Sequence, residues 1–204
     1  MIATRSLIVA AVTTLIASAM VGCASPAQRA AMESGAVMPA RLSIGSNVRV
    51  SVSGGQDTSA VGAPAIADAD LKAAIEASIL KASLFESVRQ DFADFDLVAR
   101  IIEVQRPVAG FSFTVTLEIA WQLVRASDQK ILFRKSIRSE HTTGALESFA
   151  GVTRLRMAIE GAAKKNIEVF LQEVSSTSQT SFRASSRSVT WSATSSPTMH
   201  ANAE

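Results

Sequence analysis

Phe111-Ser-Phe-Thr-Val-Thr-Leu-Glu-Ile-Ala-Trp-Gln-Leu-Val124 alternates apolar and polar residues almost from end to end. Successive side chains of a strand point to opposite faces of a sheet. Phe111, Phe113, Val115, Leu117, Ile119, Trp121 and Leu123 therefore share one face, and Ser112, Thr114, Thr116, Glu118 and Gln122 share the other. One face packs on a core and the other meets water. A strand covered by helices on both sides would read as a nearly continuous apolar run instead. This stretch thus argues against a doubly wound sheet.

Downstream, Ser127-Asp128-Gln129 is a short polar turn, so Lys130 to about Ser139 returns as an antiparallel partner. Its apolar set, Ile131, Phe133 and Ile137, is interrupted by Lys135, the mark of an edge strand protected by charge. Upstream, Phe95–Gln105 reads as a strand that stops before Pro107, and Asn47–Ser53 as another, stopped by Gly54-Gly55. Between them, Leu71, Ile75, Ile79 and Ala82 fall at helical spacing, predicting a helix over about 68–83 capped by Asp68 or Asp70. A second helix is predicted over 149–174, where Val152, Leu155, Ile159, Ala162 or Ala163, Ile167, Phe170 and Val174 make one stripe. Glu160 and Lys164 form an i,i+4 pair on it.

Two one-striped helices and strands with one buried face are most economically satisfied by a two-layer α/β sandwich. The expected α+β fold has a mostly antiparallel sheet of about four strands with two helices on one face. Phe113, Leu117 and Trp121 should lie beneath the second helix, at about 1.5–3 kcal/mol each.

The N-terminus has a different character. Arg5 is followed by an uncharged apolar run from Leu7 to Val21, then by Gly22 and Cys23, the only cysteine in the chain. A positive start, an apolar run of about 7–15 residues and small residues at the cut form the layout of a secretory signal peptide. The run falls short of the roughly 20 residues of a membrane span. Met20-Val21-Gly22-Cys23 resembles the lipobox of bacterial lipoproteins. That resemblance implies that Cys23 is lipidated and becomes the first residue of the mature chain. Ala24, where Asp would signal retention at the inner membrane, implies the outer membrane. The chain is then divided into a signal peptide at 1–22, a lipidated tether at 23–40, an α/β domain at 41–174 and a disordered Ser/Thr-rich tail at 175–204. A flexible tether of that length reaches on the order of 25 Å.

The lipobox, Phe85-Glu-Ser-Val88, Ala93-Asp-Phe-Asp-Leu97, Ile119-Ala-Trp-Gln-Leu123 and Arg154–Ile167 together resemble a loose group of small bacterial envelope lipoproteins. The group includes outer-membrane lipoproteins of unassigned role, auxiliary lipoproteins of ABC-type export systems and an activator of a penicillin-binding protein. It implies an envelope partner and brings no catalytic residues.

Composition and motifs narrow the function. Without Arg5, the mature chain carries 19 Lys+Arg against 18 Asp+Glu, so there is no clustered basic excess for nucleic acid. No second cysteine is available for a disulfide. His200 falls in the tail, and His141 follows Glu140 on a strand, where neighbours face opposite ways and make a poor acid–base pair. Asp91, Asp94 and Asp96 lack an EF-hand frame, and no G-x-S-x-G or phosphate-cradling glycine loop occurs. The expectation is a non-enzymatic, cofactor-free and metal-free protein, anchored through Cys23 on the periplasmic face of the outer membrane. It would act as a binding or auxiliary subunit of an envelope complex. Two candidate binding features are the polar face of 111–124 and the tail residues Phe182, Arg183, Arg187 and Trp191. The alternative is a lipid- or glycan-handling component with an apolar groove between the first helix and the sheet, lined by Ile75, Ile79 and Trp121.

Overall fold

The computed structural model describes residues 24–35, 47–59 and 62–187. Its elements in chain order are α1 (Arg29–Met32), β1 (Asn47–Ser53), α2 (Asp68–Lys81), β2 (Ser87–Val88), β3 (Phe95–Gln105), β4 (Phe113–Arg125), β5 (Ile131–Thr143) and α3 (Gly151–Arg187). The α+β layering follows the expectation, but the sheet is mixed rather than mostly antiparallel, with five strands in the order β2-β1-β3-β4-β5. β1 runs parallel to both β2 and β3, while β3, β4 and β5 form the antiparallel meander. The physical reason is α2. A helix between two strands carries the chain back across the sheet, so the second strand starts from the same end as the first. The two-residue β2 is too short for any periodicity to reveal.

The decisive stretch behaves largely as read. Phe113, Val115, Leu117, Ile119, Trp121 and Leu123 are buried beneath the helices. Phe111 is the exception, at 89% exposure, because β4 begins only at Phe113, opposite Thr143. β5 lies at the sheet edge, where Lys135 donates to Glu173 on α3 at 2.7 Å. A bulge between Ile101 and Glu103 leaves Ile102 without a partner on β4. Gly54, at φ +90°, closes β1 against that bulge. A Cβ there would stand 2.4 Å from the Ile101 carbonyl oxygen, so both the backbone turn and the close approach require glycine.

α2 buries Leu71, Ala74, Ile75 and Ile79. Its N-cap is Ala67, without a side-chain cap bond; Asp68 instead accepts the Gly55 amide at 2.7 Å and ties the preceding loop to the end of β1. On α3 the buried stripe starts at Leu155 and continues through Ile159, Ala162, Ala163, Ile167, Phe170 and Val174, leaving Val152 exposed. The helix does not stop at Val174 as expected but runs on to Arg187. Ser175, Ser176 and Thr177 donate their hydroxyls to carbonyls of Gln172 and Glu173 one turn back. Hydroxyl groups satisfied in this way can stay inside a helix that is already propagating.

The largest departure concerns the expected tether. Its described part, residues 24–35, packs against α2 and α3. Ala27 and Met32 join the core at 2% and 0% exposure, and Ser34 is fully buried. The Ala27 amide donates to Ala65 O at 3.2 Å, Gln28 N to Glu160 Oε1 at 2.8 Å, and Ser34 N to Ser78 Oγ at 2.8 Å. Glu33 pairs with Lys81.

Glu160, expected to pair with Lys164, faces Arg156 at 3.5 Å and the Gln28 amide instead. Burial pushes its carboxyl above the usual range, against the opposing pull of that amide and of Arg156. A raised folded-state pKa means that the native chain holds this proton more tightly than the unfolded chain. Its contribution is therefore fully present below the ordinary Glu pKa and is lost as pH rises through the folded value. Glu160→Gln keeps an oxygen for Gln28 N and removes the buried charge. The variant should melt at or above the wild-type temperature at pH 7, and the difference should shrink at pH 4. A Glu160→Gln chain that melts lower at pH 7 would show that the charge itself holds the N-terminal segment.

Candidate functional site

Cys23, the expected lipidation site, lies outside the described residues, as do His200 and Trp191. What the structure supplies is the geometry it joins. Ala27, four residues further on, is buried and bonded to Ala65 O, while the adjacent Pro64 O accepts Arg106 Nη1 at 2.9 Å. Arg106 follows directly on the last residue of β3. The N-terminal segment thus enters at the end of the sheet that carries the β3–β4 hairpin and the β5–α3 loop, and then runs toward the opposite end, where Glu33 meets Lys81. Sequence reasoning missed this docking. The only signal was Gln28-Arg-Ala-Ala-Met-Glu33, a run of good helix formers with one large apolar residue, inside a stretch that otherwise reads as linker.

The expected chemistry-bearing residues occupy structural roles. Asp94 Oδ2 accepts the Asn47 amide at 3.0 Å, and Asp96 Oδ1 accepts Arg49 Nε at 2.8 Å. Arg49 also donates to the Asp91 backbone oxygen. The three aspartates are thereby brought to one corner, where they clamp the start of β1 to β3. Among the described residues no three His, Cys, Asp or Glu side chains gather as metal ligands. His141 is half-buried and lies against Gly161 of α3; a Cβ there would sit 2.2 Å from its ring, so glycine is what allows the helix to rest on β5. Phe182, Arg183 and Arg187 fall within the helical range of α3.

A buried polar network joins α3 to the sheet. Trp121 Nε1 donates to Asn166 Oδ1 at 2.9 Å, and Asn166 Nδ2 donates to Ile137 O at 2.8 Å and Ser139 Oγ at 3.0 Å. Ser139 Oγ in turn donates to Ala162 O at 2.8 Å. These groups satisfy one another, so the network fixes helix position and presents no open valence to a ligand.

The apolar groove of the alternative reading is not formed at the residues expected to line it. Ile75, Ile79 and Trp121 are at most 1% exposed, and Trp121 stacks on Phe170 with ring centroids 4.1 Å apart. A cavity of about 170 Å³ does exist elsewhere, between Gly54, Gly55, Ile66, Arg106 and the bulge at Ile101–Glu103. It is smaller than the roughly 300 Å³ at which ligand pockets begin. A wider surface hollow of about 450 Å³, between residues 93–95 and 125–127, lies at the opposite end of the sheet and away from Ile75, Ile79 and Trp121.

The polar face of β4 is uncovered by helices. Thr114 and Thr142 share a hydrogen bond at 2.8 Å, Ser136 donates to Glu118 at 2.6 Å, and Arg138 donates to Gln105 at 3.1 Å. Exposed Val98 and Ile102 on β3 adjoin it. This face of the sheet is mostly polar. Among the described residues no helix is long and apolar enough to cross a membrane.

No family model matches the chain, and no curated protein does. Among solved structures it is similar to protein XCC0632 of Xanthomonas campestris, assigned to the DUF330 family. They share 14% identity at a TM-score of 0.55, over 72% of this chain and 95% of that one. It is also similar to protein CT253 of Chlamydia trachomatis, at 9% identity and a TM-score of 0.49 over 65% of this chain and 96% of that one. A minor lipoprotein of Acinetobacter baumannii matches at 10% identity and a TM-score of 0.43, over 64% and 92%. The likeness to the Xanthomonas protein is one of fold.

Proposed function

We propose that this protein is a non-enzymatic lipoprotein of the bacterial envelope, held through Cys23 at the periplasmic face of the outer membrane, where its domain binds a protein of an envelope complex. The observation that carries the reading is the distance from Cys23 to the folded body. A cysteine in lipobox context stands four residues before buried Ala27, so an acylated Cys23 would place the domain directly on the membrane. Three acyl chains on one cysteine meet the requirement of at least two hydrophobic signals for stable anchoring. The likeness to a DUF330 protein is one of fold and names no process. The aspartate corner and the Trp121–Asn166–Ser139 network are committed to holding the fold, which favours binding over catalysis. The uncovered β4 face, with Thr114, Glu118 and Gln122, is the surface we assign to the partner.

Two measurements test this. The N-terminal peptide of the mature chain should begin at Cys23 and carry a diacylglyceryl group and an N-acyl chain by mass. Crosslinking in intact cells, followed by mass spectrometry, should give a discrete adduct through the sheet face. A mature mass without acyl groups would refute the anchor. Absence of an adduct under several crosslinking chemistries would refute the partner.

A further inference from the structure

At the end of the sheet where the N-terminal segment enters, two loops leave the last β4–β5 rung, Phe113 opposite Thr143. The β3–β4 hairpin leads into Phe113 and carries Val108 and Phe111 at 102% and 89% exposure. The β5–α3 loop leads out of Thr143 and carries Leu146 and Phe149 at 102% and 104%. Large apolar side chains so fully presented, four of them on adjacent loops, form the kind of patch that soluble surfaces seldom keep without a use. Neither loop carries a free charge at its tip. Residues 107–112 have none, and the single carboxylate of 144–150, Glu147, accepts the Gly144 amide at 2.8 Å. Cations stand at the base instead. Arg106 is bonded to Pro64 O, and Arg154 lies 5.4 Å over the Phe113 ring with Nη1 bonded to Ser148 O.

We infer that the Val108/Phe111 hairpin and the Leu146/Phe149 loop dock into the lipid leaflet that holds Cys23, so the domain stands end-on against the membrane. This rests on the lipid anchor proposed above. The argument for lipid as the occupant is chain length and where the chain ends. Gln28 is pinned to Glu160, nine residues along α3 from Gly151, which is about 14 Å of helix. The five residues back from Gln28 to Cys23 span up to about 17 Å when extended. An acylated Cys23 therefore arrives at the level of Gly151 and of the two loops it adjoins. Apolar tips above a basic collar are the side-chain arrangement that suits an acyl boundary beneath anionic headgroups. Phe92 is the internal contrast. It is 90% exposed, but it precedes β3 at the opposite end of the sheet, away from the anchor.

The test uses the full lipidated chain, whose own thiol is acylated, with Phe111→Cys, Phe149→Cys or Phe92→Cys carrying a nitroxide label. The chain is reconstituted on vesicles of phosphatidylethanolamine and phosphatidylglycerol, and collision of the label with oxygen and with a water-soluble nickel chelate is measured. The labels at positions 111 and 149 should show an oxygen-to-nickel accessibility ratio raised several-fold over the same labels on the vesicle-free Cys23→Ser chain, while the label at position 92 should not change. Equal, aqueous ratios at all three positions on protein that floats with the vesicles would overturn the docking and leave the anchor standing. Protein that does not float would overturn both. Labels at positions 111 and 149 already shielded on the vesicle-free chain would assign the patch to a second copy or another protein, and would overturn the lipid assignment.

Discussion

Replacing Cys23 by serine is expected to move the protein from the membrane fraction into the soluble periplasm while leaving the fold intact. Each buried CH₂ of an acyl chain contributes about 0.8 kcal/mol to attachment, and loss of the thiol removes all of them. The apolar loops are one weak signal, and stable anchoring takes two. The described core begins at Ala27, four residues past Cys23. A substitution outside the packed body changes stability by about 0.5 kcal/mol or less, which for a domain of this size is within about 2 °C. Fractionation of cells expressing Cys23→Ser, with a thermal melt of the released protein, provides the check. A processed mutant that stays membrane-bound would mean that another surface holds the domain there.

Trp121→Ala should be the most destabilising single change in the core. The indole is 1% exposed, lies nearly parallel to Phe170 at 4.1 Å, and through Phe170 reaches Phe133 in an edge contact at 5.8 Å. Truncating a buried Trp costs about 3–5 kcal/mol. Here the change also leaves Asn166 Oδ1 without its donor, which adds about 1–3 kcal/mol. The melting temperature should fall by roughly 10 °C or more. Trp121→Phe keeps most of the stacking but not the N–H, so it should lie between the two. A Trp121→Ala chain melting within about 2 °C of wild type would mean that α3 is not held to the sheet through this contact.

The elements that the sequence revealed are those with long, clean periodicity. β4 and α3 each bury one face over many residues, so six alternating buried apolar residues or a stripe from Leu155 to Val174 leave little choice of type. The ends of elements were less visible. Phe111 continued the alternation by chance of spacing, and no local residue announces that the strand starts two positions later. The direction of β1 was hidden for a different reason. Alternation reports which face a residue takes, not which neighbour its strand pairs with, and the parallel register of β1 on β3 is a consequence of α2. The docking of residues 24–35 depends on Met32 finding a place between α2 and α3 and on Glu160 reaching across 132 positions to Gln28. Such contacts are non-local by nature. The candidate partner surface was legible as the polar half of the 111–124 pattern, whereas the apolar loops were not, because exposed Phe149 and Leu146 read in sequence like any other apolar residues.

α3 has 37 residues, close to 55 Å of helix, and its buried apolar stripe runs from Leu155 to Val174. It starts beside the anchored end and points away from it. With the lipid in the periplasmic leaflet of the outer membrane and the domain upright, as proposed above, the helix axis would run from the membrane toward the cell wall. On that reading the C-terminal end of α3, about 55 Å from its start, would lie nearer the cell wall than the membrane that secures the chain. One polypeptide would then reach between two layers of the envelope, its first mature residue in lipid and the end of α3 on the side that faces the cell wall.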